Sequence, residues 1–192
     1  MNYFSEVTLR DGRTCVIRNG TEADAGRVLD NFILTHSQTD FLLSLPGEIN
    51  LTVEKETGYL KSKSRSGDEV ELVAEVDGVI VGTAGVDRVG GSAKIRHRAE
   101  MGISIELDYC GIGIGREMTR ACIECARKAG YAQLELSVVS SNGRAVRLYE
   151  SEGFSEYGRN PLGFLLPGGG YQEIILMRKE LGTEKVSCNN KP

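Results

Sequence analysis

No apolar run in the sequence approaches the 18 residues that a membrane-crossing helix requires, and Met1 does not open a charged, apolar and small-residue signal pattern. A protein that neither spans a membrane nor is secreted is expected, and so a cytoplasmic one. Cysteines are few and scattered. Cys15, Cys110, Cys122, Cys125 and Cys188 form an odd set without the spacing of a disulfide framework. Cys122 and Cys125 make a lone C-x-x-C inside a helical pattern, with no second pair and no histidine beside it, so a core-facing pair is expected rather than a metal or redox site. The two histidines, His36 and His97, also lack partners at ligand spacing, and no metal is expected. An excess of positive charge is missing as well: 23 Lys and Arg against 27 Asp and Glu give a net charge of -4. That balance does not suit general attraction to nucleic acid or anionic lipid, and it favours a cationic ligand.

What is present is an ordinary globular composition, 40% hydrophobic and 26% charged, with 24 glycines in excess. A chain of 192 residues suits one compact domain, here 1–181, with a flexible C-terminal tail over 182–192. Thr14 to Arg18 reads as a strand. Ala25, Val28, Leu29, Phe32 and Ile33 recur at helical spacing between Glu22 and Thr35. A second helix is expected after Pro46, capped by Asn50 or Thr52 and giving way to a solvated loop over the polar run Lys61 to Gly67. Glu69–Val76 and Val79–Val86 flank Asp77-Gly78, a strong hairpin signal, and a third strand is expected from near Ile95 to Leu107. A helix from about Gly113 to Ala129, a strand Gln133–Val139, a helix Asn142–Glu152, and strands from Phe154 to Tyr157 and Tyr171 to Met177 complete the order, with a loop over Arg159 to Gly170. The pattern is α/β, and the strands on either side of the Gly113 helix should be parallel neighbours.

The most informative stretch is Glu100 to Arg116, an alternating apolar strand that runs into Gly111, Gly113 and Gly115 and then into a helix. Such a turn presents unpaired backbone NH groups and a positive helix end to an anion. Two nucleotide templates fail on spacing. No Gly-Lys-Ser or Gly-Lys-Thr occurs, which removes the P-loop, and the third glycine of G-x-G-x-x-G would fall on Arg116 or Met118.

The run Cys110-Gly111-Ile112-Gly113-Ile114-Gly115 resembles the acyl-CoA-binding motif of the GNAT acyltransferase superfamily, Gln/Arg-x-x-Gly-x-Gly/Ala. Some 30 residues on, Asn142-x-x-Ala145-x-x-Leu148-Tyr149 followed by Gly153-Phe154 is similar to the N-x-x-A-x-x-L-Y-x-x-x-G-F signature of the same family. The resemblance covers roughly Thr14 to Lys179. It departs at Cys110, where the family has Gln or Arg, and weaker cofactor binding is expected unless Arg116 or another base compensates.

The resemblance implies a mixed, mostly antiparallel sheet of about six to seven strands, with a central parallel pair splayed to bind CoA and about four helices flanking it. It implies acetyl-CoA as cosubstrate and direct attack by an amine in a ternary complex. The cofactor-binding set it suggests is Ile105, Glu106 and Leu107 through their backbone, Gly111, Ile112, Gly113, Ile114, Gly115 and Arg116 at the phosphates, and Asn142 and Ala145 on the second motif. Tyr149 would be the acid facing the departing thiolate, or else an aromatic packed beside Leu148. Glu100 would be the base, or else a solvated strand-end carboxylate.

A base matters because a lysine-like amine of pKa about 10.4 is neutral about once in 2,500 molecules at pH 7, a cost of about 4.6 kcal/mol, against about 1 to 1.5 for an α-amine. The expected acceptor is a small, cationic primary amine, without a nucleic-acid or membrane partner and compatible with a homodimer. A protein amino terminus or lysine is the alternative, and a non-catalytic acyl-CoA-binding module is a reading of a different class.

Overall fold

The computed structural model describes residues 1–48 and 50–182, so the tail expected over 182–192 lies outside the described residues except for Gly182. Among the described residues, eight strands form one sheet in the order β1-β2-β3-β4-β5-β6-β8-β7. They are β1 (Phe4–Thr8), β2 (Thr14–Asn19), β3 (Val70–Val76), β4 (Val79–Arg88), β5 (Arg98–Ile105), β6 (Gln133–Val139), β7 (Ser155–Leu165) and β8 (Tyr171–Glu180). Among the described residues four α-helices accompany them: α1 (Ala25–Ser37), α2 (Val53–Arg65), α3 (Ile114–Lys128) and α4 (Gly143–Ser151). Every neighbouring pair is antiparallel except β5 and β6.

The β3–β4 hairpin turns where its sequence predicts, because Asp77 and Gly78 both take positive φ, 51° and 80°, the geometry of a two-residue turn that matches strand twist. Alternation then sorts the side chains. Val70, Leu72, Ala74 and Val76 of β3, with Ala99 and Met101 of β5 and Leu134, Leu136 and Val138 of β6, form the main core with Ile114, Met118, Ala121, Cys122, Cys125 and Ala126 of α3. Cys122 and Cys125 are fully buried there. The opposite face is covered by α1 and α2 through a smaller cluster of Ala25, Val28, Leu60, Val73 and Ile80. The molecule is thus three layers, with helices on both faces of the sheet.

Four expectations need correction. An edge strand, β1, precedes the first one expected; it is short and alternates exposed with half-buried residues, and it pairs with β2 through a turn closed by Gly12 at φ 89°. Second, α2 continues to Arg65 through the polar run read as a loop, because Lys63 turns inward and bonds Asp87. Third, β5 stops at Ile105, and Leu107–Tyr109 forms a 3-10 turn before the glycines. Fourth, most of the loop expected over Arg159 to Gly170 is strand. β7 reaches Leu165 by absorbing Pro161 in an irregularity between Asn160 and Phe164. Gly163 is needed there, since a Cβ would lie 2.1 Å from Ile174 Cγ1.

The start of α1 is fixed by one buried carboxylate. Asp24 Oδ2 accepts from Thr21 NH at 2.9 Å and from Arg18 Nη1 at 2.7 Å, while Oδ1 accepts from Arg18 Nη2 at 2.9 Å and from Arg27. The Arg18 guanidinium holds its carboxyl well below the usual range. Because the folded-state pKa is depressed, this stabilisation is present above the ordinary carboxylate range and is lost as the pH falls through the folded value. Asp24→Asn should therefore cost about 3 kcal/mol at pH 7, with the gap to wild type narrowing below about pH 4; thermal melts across pH test this.

Candidate active site

β5 and β6 are paired over only three positions, Arg98–Gln133, Ala99–Leu134 and Glu100–Glu135. Beyond them the two strands part. On β5, Glu106 NH bonds Val81 O at 2.9 Å, so the period of two turns the backbone of the even residues toward β4 and that of Ile103 and Ile105 toward β6. On β6, Ser140 NH bonds Glu173 O of β8, which by the same period turns the backbone of Ser137 and Val139 toward β5. Two half-satisfied strand edges therefore face each other across an open wedge. The wedge belongs to a cavity of about 1490 Å³ whose lining includes Glu71, Glu100, Ile105, Gly113, Asn142 and Tyr149.

At the carboxyl end of β5 the glycine turn leads into α3. Gly111 and Gly113 take φ of 89° and 117°, conformations that side chains with a Cβ rarely adopt. Gly113 is the N-cap of α3, and the first NH groups of a helix have no partner within it. Gly115 serves packing instead: a Cβ there would lie 3.3 Å from Leu148 Cδ2 and 3.4 Å from Ile105 Cδ1, so its absence lets α3, α4 and β5 close together. Ile114 is buried in the core, and Ile112 packs at its edge. These residues fit an elongated ligand with phosphates at one end and amide groups along its arm.

The backbone donors expected over Ile105 to Leu107 narrow to one. Glu106 NH is bonded to Val81, its side chain accepts from Asn31 Nδ2 at 2.9 Å, and Leu107 NH donates to Gln38 Oε1 at 2.8 Å. Only Ile105 presents its NH to the wedge, and Ile103 joins it. Arg116 lies beside the turn but is gripped by Glu152 Oε1 at 3.3 Å and Ser151 Oγ at 3.2 Å. Asn142 caps α4, its Oδ1 accepting from Ala145 NH at 3.2 Å, which leaves its amide NH2 without a partner among the described residues on a side chain that lines the cavity.

Tyr149 packs at the edge of the main core, its ring 5.9 Å from that of Phe154 in an edge-on arrangement. Burial pushes its phenol up to about 12. Against a thiol near 8.5, full proton transfer from such a phenol is uphill by about 5 kcal/mol, so Tyr149 is suited to keeping its proton and donating a hydrogen bond to a thiolate. At the other end of β5, Glu100 is exposed on the face covered by α1 and α2. Its pKa is raised by partial desolvation in the cavity and then by the charges of Asp87 and Glu135 on either side, with Arg98 opposing. His36 does not join the site chemically: its Nδ1 is 2.7 Å from Phe32 O, and burial lowers its pKa.

Two features were not anticipated. Glu71 on β3 is 8% exposed, opens on the same cavity and accepts from Tyr59 Oη at 3.0 Å. Gly85 makes room for it, since a Cβ there would lie 2.8 Å from Glu71 Oε2. The sequence signal was its parity: in β3 only Glu71, Val73 and Glu75 alternate against the core residues. The second is Arg10, which lines the cavity from the β1–β2 turn, an element not expected at all.

A splayed parallel pair over a glycine turn, with a half-buried tyrosine beside the wedge, defines an acyl-CoA-binding fold. Residues 39–154 match the model of the Acetyltransferase (GNAT) family, and the chain belongs to that family. It is an acetyltransferase whose acyl donor is acetyl-CoA. It is 24% identical to the L-amino acid N-acyltransferase MnaT of Escherichia coli (strain K12) over 138 residues, 72% of this chain and 78% of that protein. Over a shorter stretch of 54 residues it is 43% identical to the [Ribosomal protein bS18]-alanine N-acetyltransferase of the same organism, covering 28% of this chain and 36% of that one. The crystal structure of a GNAT-family acetyltransferase from Streptococcus pneumoniae superposes with a TM-score of 0.82 at 28% identity, over 86% of this chain and 99% of that one.

Two substitutions separate cofactor binding from catalysis. Gly113→Val forces a branched side chain to φ 117° and should abolish CoA binding in calorimetry. Tyr149→Phe should lower kcat about 10- to 100-fold with CoA affinity within about twofold of wild type; an unchanged kcat would remove Tyr149 from the mechanism.

Proposed function

We propose that the protein transfers the acetyl group of acetyl-CoA to the primary amine of a small cationic molecule by direct attack in a ternary complex. The observation that carries this reading is the wall of the cavity on the α1–α2 side. Register places Asp87, Glu100 and Glu135 in one row across β4, β5 and β6, with Glu71 and the side-chain-free Gly85 and Gly102 in the next. Asp87 is bonded by Lys63, and Glu135 by Arg98 with Nη2 to Oε2 at 2.7 Å. Glu71 and Glu100 have no cation at ion-pair distance among the described residues. An ammonium group entering beside Gly102 meets Glu100, which has no such partner, and Glu71, whose carboxyl is only partly ionised near pH 7 and which an ammonium would draw into its charged form; this suits a cation and opposes an acidic acceptor.

In this reading Glu100 removes the proton that the amine must lose, its raised pKa bringing it nearer to the amine than an ordinary carboxylate. The NH groups of Ile103 and Ile105 and the amide of Asn142 hold the pantetheine arm in the wedge, the glycine turn holds the phosphates, and Tyr149 hydrogen-bonds the leaving sulfur. Acetyl-CoA supplies the activated acyl group. The likeness to an enzyme acting on L-amino acids supports a small acceptor; the local likeness to an enzyme acting on a ribosomal protein's alanine supports an α-amine on a peptide as the second reading.

An amine panel scored by thiol release from acetyl-CoA decides between them. Turnover with diamines or cationic amino acid derivatives is expected to exceed that with acidic amines by about tenfold or more. Turnover confined to peptide amino termini favours the second reading, and CoA binding without turnover of any amine overturns both.

Glu71 yields an independent check. Its carboxyl is pushed up to about 7, first by burial, with Asp87 and Glu56 adding to the rise and Tyr59 and Lys63 opposing it. The unfolded chain loses this proton first, so the wild type loses stability as the pH rises from about 4.5 to 7. Glu71→Gln should therefore raise the Tm at pH 8, by up to about 3 kcal/mol of stability, and leave it unchanged near pH 4. A melt in which the variant is the less stable at pH 8 contradicts the assignment.

A further inference from the structure

The glycine turn lacks one element: Cys110 stands where the related motif has Gln or Arg, and among the described residues its thiol reaches only the Ile105 carbonyl, at 3.9 Å. Arg116 does not compensate, because Glu152 and Ser151 hold its guanidinium, and Glu152 also takes Arg120 at 3.1 Å. A different cation sits at the turn. Arg10 belongs to the tight connection between β1 and β2, closed by Leu9 NH to Arg13 O at 2.8 Å and Gly12 NH to Leu9 O at 3.0 Å. Its own NH bonds Ile112 O at 3.0 Å, in the middle of the glycine turn, and its Nη1 is 3.5 Å from Gly111 O.

The connection is braced on both sides. Asp11 Oδ2 accepts from Arg13 Nη2 at 2.7 Å and Nε at 2.9 Å, and the Arg13 guanidinium lies 4.9 Å over the ring of Tyr109, in the 3-10 turn just before the glycines. Asp11 is thereby occupied by Arg13. Arg10 is left with no carboxylate at ion-pair distance among the described residues, exposed on a rigid turn and lining the same cavity as Gly111, Gly113 and Gly115.

We propose that Arg10 binds the pyrophosphate of acetyl-CoA, taking through space the place left by Cys110. The cation is delivered by the N-terminal hairpin rather than by the motif itself. A guanidinium whose backbone is anchored beside a row of free NH groups adds charge-assisted hydrogen bonds to an anion that the backbone already orients. Arg144 and Arg147 line the cavity from α4; Arg10 is the arginine bonded to the backbone of the glycine turn itself.

Calorimetric titration with CoA tests this without knowledge of the acceptor. Arg10→Ala and Arg10→Gln are each expected to weaken CoA about tenfold, and Arg10→Lys by about threefold or less. Gln retains a donor for Gly111 O, so a residue that merely braced the turn would leave Arg10→Gln at wild-type affinity, which would overturn the proposal. With 3′-dephospho-CoA, which keeps the pyrophosphate, the tenfold loss in Arg10→Ala should persist; a loss seen only with CoA assigns Arg10 to the 3′-phosphate and overturns the proposal equally. Adding Cys110→Arg to Arg10→Ala should recover most of the affinity. Melting temperatures within a few degrees of wild type establish that each variant is folded.

Discussion

The structure depends on one interrupted ladder. β5 and β6 are joined at Arg98, Ala99 and Glu100 and by no register pair beyond, while each remains fully paired on its outer side, β5 to β4 and β6 to β8. The outer pairings hold the wedge open: β5 cannot swing toward β6 without leaving β4, and α3 fills the core beneath. The unpaired groups of Ile103, Ile105, Ser137 and Val139 would be costly if sealed from water and left without partners. Their presence beside a large cavity is what makes an amide-bearing arm a fitting occupant.

The wedge also divides the chemistry. On its α3–α4 side lie the glycine turn, Asn142 and the half-buried Tyr149; on its α1–α2 side lie Glu71 and Glu100. The acyl group of a ligand lying through the wedge would reach the face where the carboxylates are. In the proposed reading that separation keeps the acidic wall away from the phosphates, so one small domain holds a polyanionic donor and a cationic acceptor. In the proposal made for it, Arg10 extends the same division, serving the phosphate end from an edge hairpin on the far side of the glycine turn from the acidic row.

Much of this was legible in the sequence where local chemistry and tertiary role coincide. The hairpin at Asp77-Gly78, the helix after Gly113, strand Gln133–Val139 and the cap at Asn142 all rest on residues whose own backbone preferences or spacing agree with their place in the fold. Reading failed where a contact overrode composition. Lys61 to Arg65 looked solvated, but Lys63 is drawn in by Asp87 of a strand remote in sequence. Pro161 and Gly163 read as loop, yet an irregular ladder absorbs the one and Ile174 requires the other. Glu106 and Leu107 looked available, whereas their NH groups are taken by Val81 and by Gln38 of α1, a helix docking that no local pattern announces. Arg10 escaped for the same reason, since nothing around it indicates that the first hairpin meets the glycine turn.

The central claim is that the open edge of β5 is the seat of the donor's arm, and amide hydrogen exchange measures it at single residues. On addition of CoA, the NH groups of Ile103 and Ile105 should become strongly protected, while Ser104, whose NH is turned toward β4, should change little. Equal exchange at Ile103 and Ile105 with and without saturating CoA would contradict the account, because a ligand that binds without closing that edge is not held by it.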